Sequence, residues 1–320
     1  MNAFSPWQQR AYDSAVGAID SGRMAHALLI CGPARLGKRT VAERLARRVL
    51  CRTPDTRGEP CGTYRSCALM EAGTHPDFRD VSFVMNKEGT RLRSEIVIDQ
   101  IRELSAKLAL TPQYANGQVA IVDPADAMNH ASCNALLKTL EEPQTARFLW
   151  LVTADPARLP ATIRSRCQRL EFRLPARDEA LAWLRAAGHP ESAASDALDA
   201  ARGNPGFADA WLRDGGLRVR RSVIDDLSRL SRAQASAVET AQRWAADEHA
   251  ALRLGFAAGH ALTLASGLTD PLRTRTLATW FDAANRTRSL LRTTVRADLA
   301  LTELLLAWQA ASQDKNRRAG

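Results

Sequence analysis

The sequence predicts an α/β domain, a parallel sheet with flanking helices, followed by an all-helical region. Apolar runs of strand length alternate with helical patterns up to about residue 174, and this alternation is typical of a parallel sheet covered by helices. From Pro175 onward Ala, Leu and Arg dominate, tryptophans recur, and no strand-like run appears. Glycine-containing breaks at 203–206 and 214–216 divide this region. We therefore predict three domains, at 1–174, 175–213 and 214–320.

The individual elements follow from hydrophobic periodicity. A helix is predicted at 8–22, before the first strand at 27–31. Further strands are predicted at 81–85, 118–123, 148–152 and 169–172, and further helices at 41–50, from about 98, and at 126–142. The tryptophans of the helical region recur at helical spacing and are expected to be core residues.

The composition is that of an ordinary globular protein. The 320 residues are 45% hydrophobic and 25% charged, enough for two or three domains. The N-terminus lacks the basic start and apolar segment of a signal peptide, and the apolar runs are too short to span a membrane, so we expect a cytoplasmic protein without a membrane partner. The net charge of +9 favours anionic partners such as nucleic acid, although scattered surface arginines would give the same charge.

A glycine-rich loop between the first strand and the next helix predicts a phosphate-binding site. Gly32, Gly37 and Lys38 meet the pattern G-x-x-x-x-G-K. In this strand–loop–helix context the backbone N–H groups and the helix N-terminus point at the anion. The position after the lysine should carry the Ser or Thr that binds Mg²⁺, but it is Arg39. The nucleotide site is therefore predicted to be degenerate.

Asp123 ends the predicted strand at 118–123 and is the second candidate nucleotide-site residue. An acidic residue in this place reaches the Mg²⁺ beside the phosphate loop. In an active ATPase the following residue is usually a glutamate that polarises water, whereas here it is Pro124. The alternative is that Asp123 only begins the turn into the next helix.

Three of the six cysteines, Cys51, Cys61 and Cys67, are candidate zinc ligands. Without an export signal, cysteines are expected to be reduced thiols or metal ligands. Zinc thiolates usually come in C-x₂-C pairs, but Tyr64 lies midway between Cys61 and Cys67, where a further cysteine would complete two such pairs. His75 is a nearby fourth donor. The alternative is a polar loop with incidental cysteines.

Several segments together resemble the AAA+ family, and within it the delta prime subunits of the bacterial DNA polymerase III clamp loader. The resemblance covers most of the first 210 residues, and more loosely the rest. The segments that carry it are His26–Ile30, the loop 32–38, the cysteine segment, Ala72–Asp77, Asn134–Pro143 and Ser165–Cys167. Of these, Asn134–Pro143 and the Ser-Arg-Cys triplet are specific to clamp-loader subunits.

The resemblance implies an AAA+ fold with a small helical lid and a helical C-terminal collar for oligomerisation. It also implies that Arg166, in the Ser-Arg-Cys triplet, is an arginine finger acting on ATP that a neighbouring subunit binds. The family's second sensor arginine falls at Gly206. Three parts of an ATPase site, at Arg39, Pro124 and Gly206, therefore depart from the family pattern together.

The function implied by the resemblance is that of a stator subunit without ATP hydrolysis of its own, requiring no cofactor. Its partners would be gamma/tau-type ATPase subunits and the delta subunit, with the sliding clamp and primer-template DNA reached through the complex. Such a subunit belongs to a DNA-directed DNA polymerase holoenzyme, a nucleotidyltransferase.

Two alternatives remain. One is an autonomous AAA+ ATPase, favoured by Lys38 and Asp123. The other is a basic DNA-binding protein acting without ATPase partners, whose binding would depend steeply on salt. Its candidate residues are Arg218, Arg220 and Arg221, or Arg286, Arg288 and Arg292.

Overall fold

A computed structural model describes residues 4–55, 59–86, 88–114, 117–291, 293 and 295–318. The chain divides into two compact units, Met1–Asp209 and Ala210–Gly320. None of the helices in the described part of the chain is long and apolar enough to cross a membrane. The three-domain division, with boundaries at 174 and 213, stays a prediction.

The first unit is built on a five-stranded sheet in which all neighbouring strands are parallel, in the order β2-β3-β4-β1-β5. The strands are β1 Ala27–Cys31, β2 Phe78–Val81, β3 Gln118–Val122, β4 Arg147–Thr153 and β5 Gln168–Glu171. Parallel neighbours require crossover connections, which place helices on the sheet faces. These helices are α1 Pro6–Asp20, α2 Lys38–Leu50, α3 Arg65–Glu71, α4 Ile98–Leu108, α5 His130–Glu141 and α6 Ala161–Arg164. The predicted parallel sheet with flanking helices is confirmed.

Each face of the sheet has its own hydrophobic core. Strand β1 alternates between them: Leu29 belongs to the core that includes residues of α4 and α5, and Ile30 to the core that includes residues of α1 and α2. All five residues of β1 and all five of β3 are buried. This double burial is the physical reason why these strands read as continuous apolar runs rather than alternating ones.

Most predicted bounds are within three residues of the observed ones, and two predicted elements differ more clearly from the structure. The strand predicted at 81–85 is β2 at Phe78–Val81, because the chain leaves the sheet after Val81 and Met85 instead pairs with Leu92 in an antiparallel bridge. The helix predicted at 126–142 is a 3₁₀ turn, Ala125–Ala127, followed by α5. The interruption occurs because Asn129 caps α5, its side-chain oxygen accepting the backbone N–H of Ser132 at 3.0 Å.

Three helices follow β5: α7 Arg177–Ala186, α8 Glu191–Ala200 and α9 Pro205–Arg213. The last is preceded by Asn204, whose side-chain oxygen accepts the backbone N–H groups of Gly206 and Phe207 at 3.0 and 3.1 Å. This cap satisfies two of the N–H groups that a helix start leaves without an intrahelical partner. The predicted lack of strands after Pro175 holds throughout the residues that the structure describes.

The second unit is helical. It comprises α10 Gly216–Ser231, α11 Ala237–Ala245, α12 Ala250–Ser266, α13 Pro271–Leu290 and α14 Ala297–Arg318. Trp244, Trp280 and Trp308 are buried in its core, and the rings of Trp280 and Trp308 lie 4.7 Å apart at a steep angle. Each indole N–H donates a hydrogen bond inside the unit. These three tryptophans are core residues, as their spacing predicts.

Candidate functional site

The glycine loop lies at the carboxyl edge of the sheet, between β1 and α2. Gly32 and Gly37 both have positive φ, +130° and +80°. A Cβ at Gly32 would lie 2.1 Å from the Phe172 carbonyl oxygen, and a Cβ at Gly37 would lie 1.6 Å from the Gln8 amide nitrogen. The backbone of Phe172 leaves no room for a side chain at Gly32, and at Gly37, where the Gln8 side chain could move, the positive φ favours glycine.

Lys38 is buried at the start of α2, and its ammonium group is bonded by the loop itself. Nζ donates to the carbonyl oxygens of Gly32 and Pro33, both at 2.7 Å. Burial lowers the pKa of Lys38, and the carboxylate of Asp123 opposes this shift. The loop carbonyls therefore supply the polar contacts that a buried ammonium needs.

Two other carbonyls of the loop accept hydrogen bonds from side chains far away in the sequence. The side chain of Asn204 donates to the carbonyl oxygen of Ala34 at 3.0 Å, just before α9. The indole of Trp7 in α1 donates to the carbonyl oxygen of Leu36 at 3.0 Å. The loop is therefore held from the α1 side and from the α9 side.

Gly206 lies directly against the loop. A Cβ at Gly206 would lie 1.8 Å from the carbonyl oxygen of Arg35 and 2.7 Å from its carbonyl carbon. Not even a methyl group fits at this position without a shift of the backbone. The position at which the resemblance puts a second sensor arginine is thus closed to any side chain.

Arg39 lies among three carboxylates. Its Nη1 and Nη2 donate to the two oxygens of Asp80 at 2.8 and 2.7 Å, and its Nε donates to Glu43 at 2.7 Å. Nη1 also lies 3.8 Å from an oxygen of Asp123. The two parallel bonds to Asp80 are the strong bidentate geometry of an arginine–carboxylate pair. A guanidinium therefore occupies the acidic edge where a Mg²⁺-binding loop has a hydroxyl.

Arg166 lies between α6 and β5, at the surface. Its Nη1 donates to the carbonyl oxygen of Thr162 at 2.9 Å, and its Nη2 lies 2.7 Å from a carboxylate oxygen of Glu141. The side chains of Arg166 and Glu141 are 37% and 47% exposed. These two contacts fix the orientation of the guanidinium, and part of it remains accessible to solvent. Glu141 belongs to the Asn134–Pro143 segment.

The strand register places Arg166 far from the glycine loop of its own chain. Strands β5 and β1 are parallel with Gln168 opposite Leu28, so Arg166 is level with His26 at the amino end of the sheet. Gly32 is six positions further along, which corresponds to about 20 Å at the rise of a β-strand. An arginine at this end of the sheet cannot reach a phosphate held by the loop at the other end.

The three predicted zinc ligands lie together. The sulfur of Cys61 is 3.6 Å from that of Cys51 and 3.7 Å from that of Cys67, and all three lie within 4.8 Å of one another. Hydrogen bonds from the backbone N–H groups of Tyr64 and Thr63 lower the pKa of Cys61 to about 6. Burial raises the pKa of Cys67 to about 11. The cysteine segment therefore forms a thiol cluster, here called the cysteine triad.

His75, the nearby donor suggested by the sequence, is not part of the triad. Its Nδ1 accepts the backbone N–H of Asp77 at 3.1 Å, so its Nε2 carries the proton and donates to the hydroxyl of Ser66 at 2.8 Å. That hydroxyl in turn donates to the carbonyl oxygen of Leu50. Both nitrogens of the buried ring are engaged, and burial lowers the pKa of His75.

A family model and a similar protein of known name show to which family this chain belongs. Residues 7–176 match the family described as DNA polymerase III, delta subunit. The chain is also 36% identical to the DNA polymerase III subunit delta' of Pseudomonas aeruginosa, over 75% of this chain and 70% of the relative. The chain belongs to the DNA polymerase III delta prime family. The recognition made from the sequence motifs is confirmed.

One further relative agrees with this family, and one solved structure agrees with the fold. The chain is 33% identical to the delta' subunit of Escherichia coli over 70% of its own length and 65% of the relative, so it spans about two thirds of that protein. The structure of a DNA polymerase III gamma subunit-related protein from Thermotoga maritima covers 94% of this chain and 99% of its own, with a TM-score of 0.51 and 15% identity. At that identity the likeness concerns the fold alone, and it agrees with the predicted AAA+ class.

Three polar residues at the carboxyl edge of the sheet, near Arg39 and Asp123, are not among those that the sequence predicts. Asp80 is the next-to-last residue of β2, beside β3, and the shared carboxyl edge of two parallel strands is the signal that would have placed it near Asp123. Glu43 follows Arg39 at the i+4 spacing of a helical ion pair. Asp126 accepts the hydroxyl of Thr153 at 2.6 Å, a contact between the ends of β3 and β4 for which the sequence offers no local signal.

The candidate DNA-binding arginines lie in the second unit. Arg218, Arg220 and Arg221 belong to α10, and Arg286 and Arg288 belong to α13. Arg292 lies outside the described residues. Direct DNA binding by these residues stays a prediction.

Proposed function

We propose that this chain is a subunit of the bacterial replicative clamp loader that does not hydrolyse ATP itself. It presents Arg166 to ATP bound by a neighbouring gamma/tau-type subunit, and together with the delta subunit it helps the complex load the sliding clamp on primed DNA. Membership of the delta prime family supports this role.

The observation that carries the proposal is the position of Arg166. It lies about 20 Å from the glycine loop of its own chain, by strand rise, and it is partly exposed and oriented by Glu141 and Thr162. A fixed guanidinium beside a transferring phosphate stabilises charge that grows in the transition state, worth about 10³–10⁵ in rate for arginine fingers. If Arg166 acts on a phosphate, that phosphate is held by another subunit.

Three contacts support the lack of ATP hydrolysis by the chain itself. The ammonium of Lys38 is already bonded by the loop carbonyls. The guanidinium of Arg39, at the position of the Mg²⁺-binding hydroxyl, bonds Asp80 and lies 3.8 Å from an oxygen of Asp123, the acid expected beside a Mg²⁺ ion. Gly206 lies against Arg35, where no sensor side chain fits. Each contact involves a position at which an active ATPase needs a group that binds nucleotide or Mg²⁺.

The test is the DNA-stimulated ATPase of a clamp loader reconstituted with the full chain carrying Arg166→Ala. We expect turnover at the affected site to fall by about 10³-fold or more, the range known for arginine fingers. Arg169→Ala is the matched control, because Arg169 is an exposed arginine three residues later for which the described residues provide no ion pair. Assembly of the variant complex is checked by size-exclusion chromatography. An unchanged rate in an assembled Arg166→Ala complex would refute the finger assignment.

ATP turnover by the isolated chain distinguishes the proposal from an autonomous ATPase. We expect no turnover with Mg²⁺ and primed DNA, and no difference on Lys38→Ala. Turnover that disappears in Lys38→Ala would instead establish a motor subunit, since the lysine of a phosphate loop contacts the transferring phosphate.

A further inference from the structure

The family resemblance implies a zinc site at the cysteine segment, and we propose that in this chain the site has only the three thiolates of the cysteine triad as protein ligands, with the fourth coordination position open to an exogenous small-molecule thiol. The proposal uses neither the glycine loop nor Arg166, so its test does not depend on the proposed function.

The spacing of the sulfurs fits a zinc ion. A disulfide would place two sulfurs about 2.05 Å apart. In a tetrahedral site with Zn–S bonds of about 2.3 Å, neighbouring sulfurs lie about 3.8 Å apart. The observed separations from Cys61 are 3.6 Å to Cys51 and 3.7 Å to Cys67. Two of the three separations thus match a tetrahedral zinc site, and the third, between Cys51 and Cys67, lies within 4.8 Å.

The local structure holds the triad in place. Cys51 ends α2, where its backbone N–H bonds the carbonyl oxygen of Arg47, and Cys67 lies in α3. The backbone N–H of Cys61 points at the sulfur of Cys51 at 3.5 Å, and the hydroxyl of Thr53 lies 3.7 Å from the sulfur of Cys61. Such hydrogen bonds to sulfur orient the ligands of a metal site and stabilise their thiolate form.

No side chain of the described part of the chain completes the tetrahedron. The cluster of metal-ligating groups found there contains the three cysteines alone. Tyr64 takes the place of a fourth cysteine in the sequence, but its side chain is 47% exposed, and a phenol is not among the usual zinc ligands. His75 is engaged by Ser66 and Asp77. The carboxylate of Glu59, in the same segment, is bonded by Arg44 at 2.8 and 2.9 Å.

Three protein ligands and one open position are the arrangement in which zinc exchanges ligands. Water fills the fourth position and a thiol displaces it. The thiol binds as a thiolate, its proton passes to solvent, and the water leaves, while zinc keeps its +2 state. Thiolate sulfur is the preferred ligand type of such a sulfur-rich site. The substitution of cysteine by Tyr64 thus changes a closed site into one that binds a ligand.

The experiment uses the metal-free full chain titrated with Co²⁺, whose thiolate charge-transfer absorption reports the number of Co–S bonds. We expect one Co²⁺ per chain. On addition of 2-mercaptoethanol the absorption should rise by about one third, as the site goes from three thiolates to the four of a closed zinc-type site. Tyr64→Cys is the matched variant: it should start at the higher absorption and not respond to the thiol. Cys61→Ser should lose the tetrahedral spectrum, with folding verified by circular dichroism.

Three results would contradict the proposed three-thiolate site. Wild-type protein that binds no Co²⁺, while Tyr64→Cys binds it, would show that three thiolates do not suffice. Wild-type protein with a four-thiolate spectrum, or one that ignores 2-mercaptoethanol, would show that the fourth position is filled by the chain. Unaltered binding in Cys61→Ser would place the ion elsewhere. Displacement of Co²⁺ by one equivalent of Zn²⁺ would show that zinc binds the same site.

Discussion

Arg39→Ala removes the guanidinium that neutralises the acidic edge of the sheet. Fully buried charged hydrogen bonds contribute about 1.5–3 kcal/mol each, whereas exposed ion pairs contribute about 0.2–1 kcal/mol. The side chain of Arg39 is 28% exposed, and those of Asp80 and Glu43 are 42% and 45% exposed. Discounted for this exposure, the loss is about 1–2 kcal/mol in the free energy of unfolding. For a unit of this size the midpoint of thermal unfolding should fall by about 3–6 °C.

The pH dependence of this loss has a defined sign. Burial raises the pKa of Asp123, and Arg39 opposes that shift. An acid with a raised pKa in the folded state costs stability as the pH rises through that pKa, and removing Arg39 increases the cost. The deficit of Arg39→Ala should therefore be full at neutral pH and should shrink in acid, where the carboxylates are protonated in both proteins.

The assay is thermal unfolding followed by circular dichroism, at neutral and acidic pH and at low and high salt. Arg47→Ala is the control, because Arg47 lies on the same helix without an ion pair to any described residue. Arg39→Lys should recover part of the loss, since an ammonium keeps the charge without the bidentate fork. A deficit no larger than that of Arg47→Ala, or one insensitive to both salt and pH, would refute the electrostatic account.

The remaining predictions concern positions outside this network. Glu141→Gln should lower the ATPase of the reconstituted complex by about 2- to 10-fold, because the amide binds Arg166 without the charge assistance; a rate equal to wild type would show that Glu141 does not orient Arg166. Gly206→Ala should destabilise the first unit by about 1–3 kcal/mol through overpacking against the loop. Gly17→Ala, in α1 with no atom within 4 Å of the new Cβ, should instead stabilise it by about 0.5–1 kcal/mol; urea unfolding separates the two, and equal effects would contradict the packing argument. Asp226→Ala removes the acceptor for Arg243 and Trp244 on α11 and should destabilise the second unit by about 2–4 kcal/mol. Urea unfolding followed by tryptophan fluorescence measures this loss. A change in the free energy of unfolding under about 1 kcal/mol would be inconsistent with a buried network.

Local patterns predicted most of the fold because they depend on neighbours in the chain. The strand at 27–31 was predicted with its observed bounds, since burial on both faces makes every residue apolar. The bounds of β2 were wrong because only the residues up to Val81 pair with β3, and pairing is not a local property. The helix at 126–142 was predicted to be continuous because its apolar periodicity runs past Asn129, where capping interrupts it.

The sequence by itself determined that a strand, a glycine loop and a helix follow one another, and that Arg39 stands where a hydroxyl is needed. It also determined the family, since the motifs that define it are contiguous segments. Tertiary structure decided which side chains meet: Arg39 with Asp80, and Asn204 with Ala34 in the loop. It also decided that Arg166 lies at the opposite end of the sheet from the loop. Such contacts join residues far apart in the chain, so they depend on strand order and register, which no local pattern specifies.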